Sequence, residues 1–258
     1  MKKVKFITMA IFALFLCVNF SSCSSDDENS ENGVVKPSTN RKIKSIKCTY
    51  PLYGGSVYYY VLNPTWDGNT MTSFIRGNGE EPIERDRMTI EYGDDNDALI
   101  FDVDGIKPDR VILDDNGYVK KAYYGSLCYH IFYNSNGQMR QWYNDNDEYC
   151  VLTYDNNGDI IQQETSDNMY NGYKYFYTND KVKTPIENKG GIMLLASWGI
   201  MWDWEYYYWF GIYGKSTKHL PVQVGDSTFD WTLDEQGYPI KCIEKNNLQE
   251  VIYDFEWE

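Results

Sequence analysis

A cysteine behind two serines, Ser21-Ser22-Cys23, follows an apolar run from Phe6 to Val18 and a basic head at Met1–Lys5. Small residues before a cysteine at the end of an export leader form a lipobox, and Cys23 is then the lipidated residue and new N-terminus. Phe20 departs from the leucine more usual there. The other chemistry-bearing residues are spread thinly. There are two histidines, His130 on a predicted strand and His219 in a Lys/Pro loop, with no cysteine or acid at ligand spacing. The expectation is no metal site and no cofactor. Cys48, Cys128, Cys150 and Cys242 include no CxxC pair. Cys128 and Cys150 fall at nearly the same phase of successive repeats, which puts them two strands apart and beyond a disulfide's reach. Buried free thiols are expected. Asp94, Asp95 and Asp97, or Asp102 and Asp104, could hold Ca²⁺ or serve as a glycosidase pair, but neither set completes a Ca²⁺ loop and most acids sit beside turns. No Gly-x-Ser-x-Gly elbow occurs, and no catalytic residue is assigned.

These residues need an address and a scaffold. The almost unbroken apolar run of 13 residues, Phe6–Val18, is too short for a stable membrane span, so 1–22 reads as a leader. Residues 23–42 contain the polar stretch Ser24–Asn32 and read as a disordered acidic tether. Residues 43–258 read as one domain. Apolar residues are 42% of the 258 and aromatics 17%, enough for a sizeable core. The net charge is −14, and removing the leader's three lysines leaves 21 basic against 38 acidic residues, −17. A surface so acidic repels phosphate backbones, so nucleic acid is excluded as a partner.

The scaffold is announced by a phased turn. Leu113-Asp114-Asp115-Asn116-Gly117 aligns with Tyr133-Asn134-Ser135-Asn136-Gly137, Tyr154-Asp155-Asn156-Asn157-Gly158 and Leu233-Asp234-Glu235-Gln236-Gly237. Asp or Asn accepts backbone N–H bonds and Gly takes a left-handed conformation, which closes a type I turn with a bulge. Weaker copies are Tyr92–Asp97, Trp66-Asp67-Gly68-Asn69 and Tyr177–Lys181. Between them lie β-rich runs at Ser56–Leu62, Leu127–Tyr133, Val151–Tyr154 and Tyr173–Thr178, with a last strand at Glu250–Trp257. The fold predicted is all-β: a long antiparallel meander of repeated hairpins, curled or barrel-like, with two edges to guard unless it closes.

One segment breaks the pattern. Residues 190–214 hold Ile192–Trp202, the most apolar stretch after the leader, and then Tyr206–Tyr213. Its charges and glycines suit a plug inside the curled sheet, as a short helix or irregular hairpin, better than a membrane span. The alternative is an exposed aromatic surface, whose candidate ligand contacts are Trp198, Trp202, Trp204, Tyr207, Trp209 and Tyr213.

Ser24-Ser25-Asp26-Asp27-Glu28 after the lipobox resembles the export signal of surface lipoproteins in Bacteroides-type bacteria. Trp209–Pro221 followed by Phe229–Pro239 resembles the C-terminal half of a domain-of-unknown-function family of lipoproteins from such bacteria. The likeness covers most of the chain from Ile43 onward. The turns are also similar, more weakly, to tyrosine–aspartate repeats of Rhs-type proteins, best at Tyr154-Asp155-Asn156-Asn157-Gly158. The resemblance implies an all-β lipoprotein of the outer membrane, displayed at the cell surface, with no catalytic residues to carry over. The function expected is a non-catalytic binding or interaction module, held to the membrane by its N-terminal lipid, with a glycan or protein ligand. A polysaccharide hydrolase or a purely structural envelope component is the alternative.

Overall fold

Apolar residues at every second position, broken by Asx-Gly corners, leave the chain no helical face and build strands. The computed structural model describes residues 41–51, 54–79, 87–94, 96–101, 109–200 and 205–258. All of these belong to one compact unit, 33–258. The leader, most of the tether with Cys23, and Asp95, Asp102, Asp104, Trp202 and Trp204 lie outside the described residues.

The first half of the wall is β1 (Ile43–Tyr50), β2 (Ser56–Asp67), β3 (Thr70–Asn78), β4 (Arg87–Tyr92), β5 (Asp97–Phe101) and β6 (Asp109–Leu113). It continues with β7 (Val119–Tyr124), β8 (Leu127–Tyr133), β9 (Met139–Asn144), β10 (Tyr149–Tyr154) and β11 (Ile160–Thr165). Two-residue pieces follow: β12 (Tyr175–Phe176), β13 (Ile186–Glu187), β14 (His219–Leu220) and β15 (Gln223–Val224). One short helix, α1 (Glu205–Trp209), stands between β13 and β14. The chain ends in β16 (Ser227–Leu233), β17 (Pro239–Lys245) and β18 (Glu250–Trp257).

Among the described residues, sixteen strands form one antiparallel sheet. Strands β11 to β1 run in reverse chain order, then β18, β17, β16, β15 and β12, while β13 and β14 pair separately. The last strand therefore lies against the first, with Ile46 opposite Phe255 and Cys48 opposite Tyr253. The two ends of the order, β11 and β12, nearly meet: Gln162 bridges Lys174, and the Gln163 amide donates to the Tyr173 carbonyl at 2.9 Å. The meander is thus a barrel closed but for this seam, which removes the edges an open sheet would have to protect.

Side chains alternate across the wall. Ile46, Val61, Phe74, Ile100, Val111, Ala122 and Tyr253 point inward and join one core with Ile192–Leu195, Trp198 and Tyr206–Tyr208. The predicted plug therefore fills the bore, and Phe74 meets Phe210 with ring centroids 5.0 Å apart. Outward, Lys47 and Lys241 flank Asp254 across three strands, and Lys44 pairs with Glu256 at 3.2 Å. On β8 and β9, His130 and Phe132 each stack on Tyr143 in an aromatic column. Apart from β2, β3 and the two-residue pieces, the strands have five to eight residues. A tilted strand crossing a bilayer needs about 9–11. A barrel in lipid also carries an apolar band outside and a polar interior. This wall has the reverse polarity.

Cys48, Cys150 and Cys242 are buried free thiols, and Cys128 is a half-buried one. Burial pushes Cys48 and Cys150 up to about 12, so both stay protonated and inert. Cys128 on β8 and Cys150 on β10 are separated by β9.

Candidate functional site

Each repeated corner has the same wiring. In the first, Asp114 Oδ1 accepts from the Asn116 and Tyr118 amides at 2.9 Å each, while Gly117 donates to the Asp114 carbonyl. Asn134, Asp155 and Asp234 hold their own corners in the same way. Gly117, Gly137, Gly158 and Gly237 sit at φ of 77° to 91°, where a Cβ is penalised. A fifth corner escaped the pattern because it has no glycine: Asn144 Oδ1 accepts from Asn146 and Glu148, and Asp147 takes φ 61°.

A second device ties the repeats together. The Tyr133 hydroxyl donates to the Val119 carbonyl, Tyr154 to Met139, and Tyr177 to Ile160, at 2.6 to 3.0 Å. The Trp257 indole does the same to Pro239 at 2.7 Å. Every acceptor lies two residues past a corner glycine, so each ring clasps the preceding hairpin. Burial holds the Tyr133 and Tyr154 hydroxyls well above the usual phenol range, which keeps them donors.

In an antiparallel meander, alternate turns fall at the same end. The four Asx-Gly corners join β6 to β7, β8 to β9, β10 to β11 and β16 to β17, so all four crown one mouth of the barrel. The Asp67–Asn69 turn and the chain's entry at Arg41 share that end. Beneath the crown the plug comes to the surface. The Lys215 amide donates to Gly137 O, and the buried Gln138 amide reaches Gly158 O at 2.7 Å and Ser216 O at 2.9 Å. Asp159 takes both the backbone N–H and the ring Nδ1 of His219, at 2.8 and 2.6 Å. That acidic partner is 60 residues away in the chain, which is why the sequence around His219 shows none.

Crown and plug enclose a basin of about 1000 Å³. That is the upper end of the roughly 300–1,000 Å³ usual for ligand sites. Its lining is unlike the rest of this acidic chain: Arg41, Lys42, Lys189, Lys215 and Lys218 face Glu187, the one acid among the described lining residues. Arg41 is ion-paired with Asp234 at 2.6 Å and lies over the Tyr238 ring. Lys42 lies over Trp66, 5.2 Å from its centroid, and donates to Gly68 O. Lys189 donates to Gln236 O. Trp66, Trp209, Tyr238 and Trp257 supply aromatic surface. The indole N–H groups of Trp66 and Trp209 are buried with no hydrogen-bond partner among the described residues.

The aromatic contact candidates divide. Trp198, Tyr207 and Tyr213 are at most 2% exposed, enclosed in the bore, so they have no surface to offer a ligand from outside. The plug, not an exposed platform, accounts for them. Trp209 alone of the described four reaches the basin, and Trp202 and Trp204 lie outside the described residues. Among the acids of the 94–97 turn, Asp97 pairs with Arg110 at 3.3 Å on the outer wall. The basin's cations come from positions 41–42, 189 and 215–218, three separate segments that only the fold brings together.

Two buried carboxylates lie elsewhere in the bore. Glu205 accepts from the Ala196 amide at 2.8 Å; Glu244 accepts from Ser227 and from Tyr253, which is also bonded to Ser197. Both are 4% exposed. Burial outweighs these hydrogen bonds and raises the Glu244 carboxyl above its usual 4.5. A folded-state pKa above the unfolded one means the native state holds the extra proton. The stabilisation is therefore complete below pH 4.5 and is lost as pH rises through the folded value. Asp155 and Asp234 are shifted down and act in the opposite sense, losing their contribution below pH 3.8, outside this window. Urea titrations from pH 4.5 to 8 should show wild-type stability falling with pH, and Glu244→Gln should flatten that slope. An unchanged slope would mean that Glu244 ionises freely in the fold.

No family model matches the sequence, and no curated protein is detectably similar to it. Solved structures do share the fold. A crystal structure described as a porin-like protein from Bacteroides uniformis superposes with a TM-score of 0.60 at 16% identity, covering 84% of this chain and 98% of its own. A second porin-like protein, from Bacteroides vulgatus, gives 0.54 at 11%, covering 85% and 99%.

Proposed function

We propose that this chain is a lipid-anchored envelope protein of a Bacteroides-type bacterium and serves as a non-catalytic binding module, its ligand seated in the basin at the crowned end of the barrel. The observation that carries this reading is the pairing of a filled bore with an open basin. Apolar side chains of Ile192–Leu195, Trp198, Ile200, Tyr206–Tyr208, Phe210, Ile212 and Tyr213 occupy the space a pore would need, while a large recess lies where the repeated corners converge. The leader and Ser21-Ser22-Cys23 support export and anchoring. The fold shared with two Bacteroides proteins supports an envelope address. Their description as porin-like is not carried over in the sense of conduction, because charged residues stand along the outer wall here.

The absence of a catalytic role is supported by the distribution of acids. A glycosidase needs two carboxylates about 5–10 Å apart across an accessible cleft. Glu205 and Glu244 are enclosed, and the basin offers Glu187 alone among the described lining residues. A purely structural component would leave no such recess.

The test has two arms. Expressed in a Bacteroides host, the wild-type protein should partition with membranes and carry a lipid mass at Cys23, and Cys23→Ala should move it to the soluble fraction. In planar bilayers the purified protein should give no stepwise conductance. A bare Cys23 in the exported product, or channel openings, would refute the reading.

A further inference from the structure

We propose that the basin's ligand is an acidic saccharide, its carboxylate or sulfate groups held by Lys42, Lys189, Lys215 and Lys218 and a sugar face laid on Trp66 or Trp209; this rests on the binding-module reading above. The first argument is charge. The chain carries 38 acids against 24 bases, yet the described lining of the basin holds five cations and a single acid, Glu187. Inside it, the four lysines have no carboxylate partner among the described residues; Lys42 and Lys189 donate to backbone carbonyls, and Lys215 and Lys218 are exposed. Four cations kept unpaired around one recess repel each other until an anion enters.

The second argument is independent of charge. Trp66 and Trp209, both half-buried, line the basin and give its wall aromatic surface on which a sugar ring can stack. The rim adds the exposed amides of Asn69, Asn136, Asn157 and Gln236, groups that donate and accept at once and so match hydroxyls. Aromatic faces, amides and lysines together fit a ligand that is part hydroxylated ring and part anion. The size of the recess admits more than one such ring. The acidic outer wall repels a long polyanion laid along it, which favours a short oligosaccharide or a chain end entering the mouth.

Calorimetric titration of the full-length protein tests this with four probes: tetragalacturonate, its methyl ester, a chondroitin sulfate tetrasaccharide, and AMP. One of the two acidic sugars should bind, the charge-masked ester should bind at least about tenfold more weakly, and added salt should weaken the acidic complex. The double variant Lys215→Ala/Lys218→Ala changes exposed residues only and should keep the wild-type melting curve. It should nonetheless lose about tenfold in affinity for the acidic sugar. Which acidic sugar binds distinguishes carboxylate from sulfate recognition. Equal binding of acid and ester, an unaffected double variant, tighter binding of AMP, or no binding by any probe would each overturn the inference. None of those results bears on the module reading, which fails on bilayer conductance or a bare Cys23 instead.

Discussion

Replacing Trp198 by alanine should cost about 3–5 kcal/mol of folding stability, the range for deleting a buried indole from a packed core. For a domain of this size that corresponds to a fall in melting temperature of roughly 6–20 °C. Trp198 is fully buried in the bore, and the Tyr175 ring meets it edge-on with centroids 6.3 Å apart. Its position is what makes the loss large. Tyr175 donates to Gln163 Oε1 at 2.7 Å and reaches the Trp198 carbonyl at 3.1 Å, and Gln163 in turn donates to Gly199 O at 2.8 Å. Plug, β11 and β12 therefore meet at one point, at the seam where the sheet fails to pair continuously. The substitution leaves the Trp198 carbonyl in place and removes no side-chain hydrogen bond among the described residues, so it isolates packing. Urea unfolding of the purified variant measures the effect. A loss below about 1.5 kcal/mol, within the range of ordinary substitutions, would mean that the barrel closes without its plug.

Gly214→Ala should be nearly as damaging, at about 2–4 kcal/mol, and for a different reason. Gly214 sits at φ +85°, and a Cβ there would come within 2.7 Å of the Gly137 carbonyl oxygen and 2.8 Å of the Tyr133 ring. One contact is backbone, the other a ring pinned by its bond to Val119, so neither gives way cheaply. Gly125→Ala is the control. Gly125 has φ +60° with nothing within 4 Å, so it reports the left-handed penalty alone, about 1–2 kcal/mol. The difference between the two variants in denaturant midpoint measures the close approach of plug to crown. If Gly214→Ala were no worse than Gly125→Ala, the plug would not be seated against the corner at Gly137.

Much of the fold was legible in the chain. Asp114, Asn134, Asp155 and Asp234, each three residues before a glycine, specified four corners because a β-turn is closed by atoms within five residues of each other. The apolar excess of 190–214 likewise marked a segment that must be covered. Composition could not say what covers it. An indole in a core and an indole on a binding face are identical in the sequence, and Trp198 and Trp209 differ only in where the sheet's curvature leaves them. The short β12 was overestimated as Tyr173–Thr178, since β propensity does not report where pairing partners run out at the seam. Asn144–Asp147 was missed because Asp147 accepts the left-handed conformation that glycine usually takes.

What the sequence determined by itself is local: strand alternation and the Asx-Gly corners. These depend on backbone sterics and on side chains reaching their own neighbours. Only the tertiary structure decided that β18 lies beside β1, that the bore is filled, and that Lys42, Lys189, Lys215 and Lys218 gather at one mouth with Trp66 and Trp209. That convergence is set by barrel closure and by the parity of turns along the meander, which place alternate corners at one end. Such long-range geometry is a property of the whole sheet, and no window of neighbouring residues encodes it.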